Sequence, residues 1–155
     1  MSKCILITGM SGTGKSSVII ALRQQGYKAV DFDSYDWSHH RADGEWVWQD
    51  NKVRDLLENR DSDTPLFVSG CAINQGQFYP LLDKVVLLFA PVDVIVKRVK
   101  NRTTNDFGKD PNELAAILSD IEEIEPLLRK GADIEIDTSA PLDVVVSQLI
   151  KLLDE

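Results

Sequence analysis

The sequence contains little cysteine, few positive charges and no long hydrophobic run. Its 155 residues include Cys4 and Cys71 as the only cysteines, which excludes a small secreted scaffold held together by several disulfides. Every hydrophobic run is far shorter than the ~20 residues that a membrane-spanning helix needs. The 17 Lys and Arg residues are outnumbered by 25 Asp and Glu residues, which gives a net charge of -8. Such a surface repels nucleic acid and anionic lipid, so we expect neither as a partner, although a small anion can bind where the positive charges cluster.

The remaining composition is that of an ordinary folded domain. Hydrophobic residues make up 43% and charged residues 27% of the chain, and this length is about the size of one domain. We therefore predict a single domain over residues 1–155. Both cysteines are expected to be reduced, buried thiols. The first residues lack the ~7–15 residue apolar core of a secretory signal, so we expect a cytoplasmic protein.

Short apolar segments alternate with amphipathic segments along the chain. The apolar segments are typical of buried β-strands and cover residues 4–7, 27–32, 66–68, 84–89 and 134–136. Helical periodicity predicts helices over residues 15–25, 44–59, 91–101, 110–131 and 141–153. Asp110 and Pro111 form a strong helix start, and Pro126 should interrupt the same helix. Strands that alternate with helices indicate an α/β fold with a parallel sheet covered on both faces.

The segment that carries the clearest chemistry lies between the first strand and the first helix. Residues 9–16 read Gly-Met-Ser-Gly-Thr-Gly-Lys-Ser, and a second serine follows, which satisfies the phosphate-binding pattern G-x-x-x-x-G-K-S/T. Glycines let successive backbone N–H groups turn towards phosphate oxygens, and the helix that follows adds the positive end of its dipole. In this pattern Lys15 reaches the β- and γ-phosphates, and Ser16 can ligate Mg²⁺. We therefore predict a nucleoside triphosphate site formed by Gly9, Ser11, Gly12, Thr13, Gly14, Lys15, Ser16 and Ser17.

Two other classes of P-loop protein fit the sequence less well. A GTPase should carry the sequence N-K-x-D to recognise guanine, but residues 51–55 read Asn-Lys-Val-Arg-Asp and place the aspartate one position late. A large motor ATPase needs coupling elements for which a chain of this length leaves little room. These two exclusions favour a small protein that binds ATP.

Three patches of the sequence together resemble the small P-loop kinases of the nucleoside-monophosphate kinase type, which include shikimate, gluconate and adenylate kinases. The patches are the phosphate-binding segment, residues 31–33 (Asp-Phe-Asp) after the second strand, and residues 98–102 (Arg-Val-Lys-Asn-Arg) with the polar loop that follows to Lys109. The resemblance implies a three-layer P-loop NTPase fold, with a five-stranded parallel sheet in the order 2-3-1-4-5 and a short lid at about residues 101–110. It also implies ATP and Mg²⁺ as cofactors and an acceptor-binding region at about residues 34–60.

Asp31 and Asp33 follow a predicted strand, at the edge where α/β sheets bind ligands. By resemblance, Asp31 lies on the metal side with Ser16, whereas Asp33 holds the acceptor hydroxyl and serves as its base. A solvated turn would also explain the pair, and Asp36 is a further candidate. In many P-loop enzymes the third strand ends in an acidic residue. This chain has no acidic residue there, so Mg²⁺ binding would depend on Ser16 and Asp31.

The predicted lid concentrates the positive charge of an acidic chain. Arg98 and Arg102 are four residues apart, so on a helix they share one face, and their planar guanidinium groups suit both stacking and bidentate phosphate contacts. By resemblance, Arg98 stacks on adenine, Arg102 reaches the phosphates, and Lys15 and Arg102 join Asp33 as catalytic residues. An ordinary basic helix end is the alternative. Arg129 could be a further phosphate contact or simply a helix-end charge.

The acceptor side of the site is less sharply defined by the sequence. The candidate acceptor contacts are Asp33, Trp37, Gly70 and Asn74. Gly70 would offer its backbone N–H to the transferring phosphoryl group. Trp46 fits a core position, whereas the other tryptophans fit either the core or the acceptor site. His39 and His40 have no partner at a metal-ligand spacing, so no zinc site is predicted.

The function that these patterns favour is ATP-dependent transfer of a phosphoryl group to the hydroxyl of a small polar acceptor. A nucleoside monophosphate is the alternative acceptor, and its phosphate would need further arginines, for which Arg41, Arg54 and Arg60 are available. A nucleotide-binding ATPase switch without a small-molecule acceptor is the competing class. The expected partner is therefore a small-molecule substrate, and no pattern in the sequence indicates an oligomeric state.

Overall fold

Five parallel strands form the central sheet in a computed structural model of the chain, which describes residues 2–103 and 106–155. The strands are β1 (Cys4–Thr8), β2 (Lys28–Asp31), β5 (Leu66–Ser69), β6 (Lys84–Phe89) and β7 (Ile134–Asp137). They lie side by side in the order β2-β5-β1-β6-β7. Counted along the chain within this sheet, that order is 2-3-1-4-5. The predicted α/β fold class and strand order are therefore confirmed.

The central strands are apolar throughout because both faces of the sheet are covered. All residues of β1 and β5 are buried. On one face Ile5 packs in a cluster with Val18 and Leu149, and on the other face Leu6 packs in a cluster with Val53. Side chains alternate between the two faces of a strand, so a strand in the middle layer needs an apolar residue at every position.

Helices form the two outer layers. They are α1 (Lys15–Gln24), α2 (Asp50–Asn59), α3 (Val92–Asn101), α4 (Pro111–Glu123), α5 (Glu125–Gly131) and α6 (Leu142–Lys151), with 3-10 turns at Gln75–Leu81 and Leu152–Asp154. Helices α1 and α6 pack on one face of the sheet, and α2 packs with the Gln75–Leu81 turn on the other. Helices α3 and α4 share a further cluster, in which Ile95 and Ile117 are buried.

The start of α4 and its interruption agree with the sequence. The Asp110 side chain accepts a hydrogen bond from the Asn112 N–H (2.7 Å), and Pro111 occupies the first turn. The helix stops at Ile124, and Pro126 lies in the first turn of α5. The predicted cap and the predicted break at Pro126 are therefore confirmed.

The helix predicted over residues 44–59 is wrong in its first part. Residues 38–48 form an antiparallel hairpin of β3 (Ser38–His40) and β4 (Trp46–Trp48), and α2 begins only at Asp50. Gly44 has a φ of 87°, which lets the chain reverse between the two strands at no steric cost. The aromatic and β-branched run from Trp46 to Trp48 suits a strand better than a helix.

Both cysteines are free thiols, as predicted. Cys4 is fully buried, and burial raises its pKa to about 12. Its thiol therefore stays protonated at neutral pH. Within residues 2–103 and 106–155, no helix is long and apolar enough to cross a membrane.

Candidate active site

The phosphate-binding segment forms a loop between β1 and α1. The Lys15 ammonium lies across this loop and donates hydrogen bonds to the carbonyls of Gly9 (2.6 Å) and Met10 (3.1 Å). The Thr13 hydroxyl also donates to the Met10 carbonyl (2.7 Å) and closes the turn. Gly14 precedes α1 and has no side chain to cap it. The first backbone N–H groups of α1 therefore remain available for an anion.

One cleft of about 1250 Å³ contains most of the predicted site residues. Its lining includes the loop between β1 and α1, the end of β2, the segment after β5, the hairpin, and parts of α3, α4, α5 and α6. The predicted residues that it brings together are Gly9, Ser11, Gly12, Thr13, Gly14, Lys15, Ser16, Ser17, Asp31, Asp33, Arg98 and Arg102.

Asp33 is held in this cleft by two hydrogen-bond donors. The indole N–H of Trp48 donates to Asp33 Oδ1 (3.0 Å), and the Cys71 N–H donates to both carboxylate oxygens (3.1 and 3.0 Å). Burial raises the pKa of Asp33, while the Lys15 ammonium and these two donors lower it and the Asp31 charge raises it. The net shift is upward. A carboxylate fixed in a cleft with a raised pKa is suited to general-base chemistry.

Asp31 shapes the turn that follows β2. Its Oδ1 accepts a hydrogen bond from the Asp33 N–H (2.9 Å), an arrangement typical of an aspartate that ends a strand. Asp31 and Ser16 line the same cleft and together offer carboxylate and hydroxyl oxygens, the ligand types that Mg²⁺ prefers. Among the described residues, no group of three or more His, Cys, Asp or Glu side chains could hold a metal by itself. The donor set therefore fits a Mg²⁺ ion that is also bound by phosphate oxygens.

Asp36 does not line the cleft. It is exposed, and its backbone carbonyl accepts a hydrogen bond from the Lys52 ammonium (2.5 Å). His40 is also absent from the cleft lining. Its ring contacts Trp46, and its Nδ1 lies 3.1 Å from the Gly44 carbonyl oxygen. Between Asp31, Asp33 and Asp36, the geometry thus favours the first two.

Gly70 lies against Asp33, but its role differs from the predicted one. A Cβ at this position would come within 2.8 Å of Asp33 Oδ1 and of the Trp48 ring, so only glycine lets the backbone pass so close. Its N–H donates to the Ile7 carbonyl (3.1 Å) and continues the ladder between the strands. The prediction that this N–H meets the transferring phosphoryl group is therefore wrong.

Trp37 and Asn74 lie outside the lining of this cleft, so their contact with an acceptor stays a prediction. The Trp37 ring packs on Phe32, with a centroid distance of 5.3 Å. The Asn74 amide accepts a hydrogen bond from the Trp48 N–H (3.1 Å) and donates one to the Trp48 carbonyl (3.0 Å). Both side chains thus hold the hairpin and the turn after β2 in place, and Asn74 fixes the strand that carries Trp48.

Arg98 ties the phosphate-binding loop to the segment after β7. Its Nη1 donates to the Thr138 hydroxyl (2.9 Å) and the Gly12 carbonyl (3.3 Å), and its Nη2 donates to the Thr138 carbonyl. Ala140 and Leu142 line the cleft beside it. The guanidinium is therefore held in one orientation next to the loop, with apolar side chains nearby.

Arg102 follows α3 at the start of the predicted lid. Its Nη2 donates to the Phe107 carbonyl. Lys109 pairs with Asp106 in the same loop (3.2 Å). The predicted lid at residues 101–110 includes residues 104 and 105, which lie outside the described residues.

Arg129 does not line the cleft, although it was a candidate phosphate contact. Its guanidinium pairs with Glu135 and Glu125 and lies over the Phe89 ring, 5.3 Å from its centroid. Of the two interpretations of this residue, the structure favours a helix-end charge.

The family follows from a comparison with known families. A family model described as an AAA domain matches residues 5–119, which is most of the chain. The chain belongs to this family. No curated protein matches this AAA domain in sequence.

Solved structures share the fold of this AAA domain over almost its full length. Shikimate kinase from Acinetobacter baumannii, in complex with shikimate, is 20% identical with a TM-score of 0.66 and covers 97% of this chain and 92% of its own. Shikimate kinase from Bacteroides thetaiotaomicron is 18% identical with a TM-score of 0.67 and covers 100% of both chains. A gluconokinase from Sinorhizobium meliloti 1021 is 22% identical with a TM-score of 0.59, and the match covers 98% of this chain and 94% of the gluconokinase chain. The predicted resemblance to small P-loop kinases is thus confirmed for the fold.

The sequence missed several residues that line the cleft of this AAA domain. They include Glu45, Cys71, Ala72, Ile73, Gly76, Tyr79, Asp120, Ile124, Leu127, Leu128, Thr138, Ala140, Leu142 and Val145. Trp46 is half-buried and lines the cleft, although it was expected in the core, whereas Trp48 is the tryptophan that is fully buried. The alternation of residues 46–48 after a glycine could have indicated the hairpin. The residues on α4 and α5 carry no such signal, because only the tertiary fold brings them to the cleft.

Proposed function

We propose that the chain is an ATP-dependent phosphotransferase that moves the γ-phosphoryl group to a hydroxyl of a small polar acceptor. The observation that supports this most is the juxtaposition, in one cleft, of the phosphate-binding loop with Lys15 and the fixed carboxylate of Asp33. A nucleotide-binding site alone needs the loop but not a positioned base. The cytoplasmic location expected from the sequence stays a prediction.

The triphosphate would bind on the loop between β1 and α1. The free N–H groups of this loop and the Lys15 ammonium supply the positive field. Ser16 and Asp31 would hold Mg²⁺, which neutralises phosphate charge when bound. The adenine would lie near Arg98, where Ala140 and Leu142 offer apolar contact.

Asp33 would act on the acceptor. Its carboxylate takes the proton from the acceptor hydroxyl, while the acceptor oxygen forms a bond to the γ-phosphorus and the bond from that phosphorus to the ADP oxygen breaks. The donors from Trp48 and Cys71 hold the carboxylate in one orientation. A pKa raised by burial makes Asp33 a better proton acceptor than an ordinary aspartate.

The geometry does not favour a nucleoside monophosphate as acceptor. The three arginines available for its phosphate lie outside the cleft lining. Arg41 pairs with Asp43 in the hairpin (2.6 Å), Arg54 pairs with Asp50 (3.3 Å), and Arg60 donates to the Ser2 carbonyl (2.9 Å).

The rate of ATP turnover, measured alone and with pooled metabolites, separates the proposed kinase from an ATPase switch. We expect one or more pools to accelerate ADP release and to yield a phosphorylated compound. Acceleration by added protein alone, or a rate that no small molecule changes, would favour the switch.

Arg102→Ala is expected to lower turnover by about tenfold or more, because the arginine meets charge that develops on the transferring phosphoryl group. The Kd for ATP should change much less. Turnover and ATP affinity are measured together, with Lys97→Ala, an exposed lysine on α3, as the control. An equal loss in both quantities would make Arg102 a ground-state binding residue instead.

Trp48→Phe is expected to lower kcat/KM by about tenfold, because it removes a hydrogen bond to a charged group. That hydrogen bond lowers the pKa of Asp33, so without it the pKa rises further. The acidic limb of the pH–rate profile should therefore move to higher pH. Trp37→Phe, which changes a ring outside the cleft, is the control. A loss of rate with an unmoved limb would show that Trp48 only supports the fold.

A further inference from the structure

Part of the cleft lining comes from the hairpin, from the segment after β5 and from helices α4 and α5. We call it the acceptor wall and define it by Glu45, Trp46, Ile73, Tyr79, Asp120 and Leu127. These residues line the same cleft as Asp33, on elements other than those that would bind the nucleotide.

The basic side chains that line the cleft come from two places. Among the described residues, which include every Lys and Arg of the chain, they are Lys15 at the start of α1, and Arg98 and Arg102 at the end of α3. Lys15 donates to the loop carbonyls, Arg98 to the Gly12 carbonyl, and Arg102 to the Phe107 carbonyl. The Lys15 charge also acts on Asp33, but no basic side chain of the described lining comes from the hairpin, from the segment after β5 or from α4 and α5.

The acceptor wall carries negative charge. Within the described part of the chain, neither Glu45 nor Asp120 pairs with a basic side chain, and both line the cleft. Burial raises the pKa of the Cys71 thiol, the Lys15 ammonium lowers it, and the charges of Asp33 and Asp120 raise it. The Asp120 carboxylate therefore acts on the same part of the cleft as Asp33.

The acceptor wall also presents apolar surface. Ile73 is 60% exposed and Leu127 is 62% exposed, and the half-buried Trp46 ring belongs to the same lining. Large apolar side chains left open in a cleft favour a ligand with an apolar face. An aromatic ring such as that of Trp46 suits the flat face of a ring compound.

We infer that the acceptor is a ring-bearing hydroxyl compound that carries no carboxylate or phosphate, because this wall repels anions and has no cation to pair with them. The inference rests on the proposed function and specifies its substrate class. It separates this chain from an enzyme that phosphorylates a sugar acid, a hydroxy acid or a nucleoside monophosphate.

The test is phosphorylation of pairs of ring-bearing compounds in which only one member carries an acidic group, with ATP and Mg²⁺, followed by ADP release and by mass spectrometry of the products. The pairs are adenosine with AMP, cytidine with CMP, glucose with glucuronate, and inositol with shikimate. For every pair that is used, we expect the member without an acid to have a kcat/KM about tenfold or more above its acidic partner. An acid or nucleotide that is used as well as its partner, or better, overturns the inference and leaves the proposed function standing. If no pair gives product, the proposed function fails, and the inference fails with it.

Charge reversal on the acceptor wall tests whether its negative charge causes the preference for neutral acceptors. Asp120→Lys should shift the preference between a neutral acceptor and its acidic partner by about tenfold towards the acid. Glu122→Lys makes the same change on an exposed position of α4 outside the cleft and should shift nothing. If Asp120→Lys folds poorly by circular dichroism, Glu45→Lys on the exposed hairpin makes the same reversal. An unshifted preference in a folded wall variant overturns the electrostatic basis of the inference.

Discussion

Lys15→Ala is expected to abolish phosphoryl transfer, with a loss of about a thousandfold or more in kcat/KM. The Lys15 ammonium now donates to two carbonyls of its own loop, and the same reach would let it meet phosphate oxygens held in that loop. Removal of this charge takes away an electrostatic contact that is strongest when the γ-phosphoryl group is in transit.

The measurement is kcat/KM for the accepted compound, together with the Kd for ATP by calorimetry and the Tm of each variant. The control is Lys28→Ala, an exposed lysine at the start of β2. The Tm of Lys15→Ala should fall little, because the freed loop carbonyls border an open cleft and can bind water. Retention of more than about a tenth of the activity would remove Lys15 from the mechanism.

Asp33→Asn is expected to lower turnover by about a hundredfold to ten-thousandfold, the range for loss of a general base. Stability should not be lost with the activity. Because burial raises the pKa of Asp33 in the folded state, folding stability falls as the pH rises from the ordinary pKa of an aspartate to the folded one, and stays lower above it. The neutral amide avoids this cost, so the free energy of unfolding at pH 7 should not fall.

Urea unfolding at pH 7 checks the predicted stability, and turnover measured from acid to neutral pH checks the predicted role of Asp33 as the base. Wild-type turnover should rise with pH as Asp33 loses its proton, with a midpoint above the ordinary value of 3.8. The residual activity of Asp33→Asn should lack that limb. Asp36→Asn, a nearby exposed aspartate outside the cleft, should keep both the rate and the limb. A stable Asp33→Asn variant with normal turnover would refute the assignment of the base.

Local patterns were sufficient to predict the phosphate-binding loop and several helix ends. The glycine-rich spacing before Lys15 specifies both the loop and the start of α1, because the chemistry and the backbone conformation depend on the same few neighbours. The start of α4 at Asp110 and Pro111 is equally local. The strand order came from the resemblance to a known family, since periodicity does not encode which strands are neighbours.

Contacts between distant residues were beyond the reach of local patterns. Trp48 and Asp33 are joined by a hydrogen bond, but no spacing rule relates them. The hairpin was missed because Trp46 also fitted helical spacing with residues of α2, and a hairpin of three-residue strands leaves little alternation to detect. The role of the Gly70 N–H was wrong for a similar reason: its partner, the Ile7 carbonyl, becomes visible only once β1 and β5 are paired.

The most direct test of the proposed phosphotransferase is the fate of the label from [γ-³²P]ATP in the presence of pooled ring-bearing hydroxyl compounds. The account predicts that the label appears in a small organic molecule, and that Lys15→Ala and Asp33→Asn both lower its rate of formation by about a hundredfold or more. Release of all label as inorganic phosphate, at a rate that no pool changes, would contradict it.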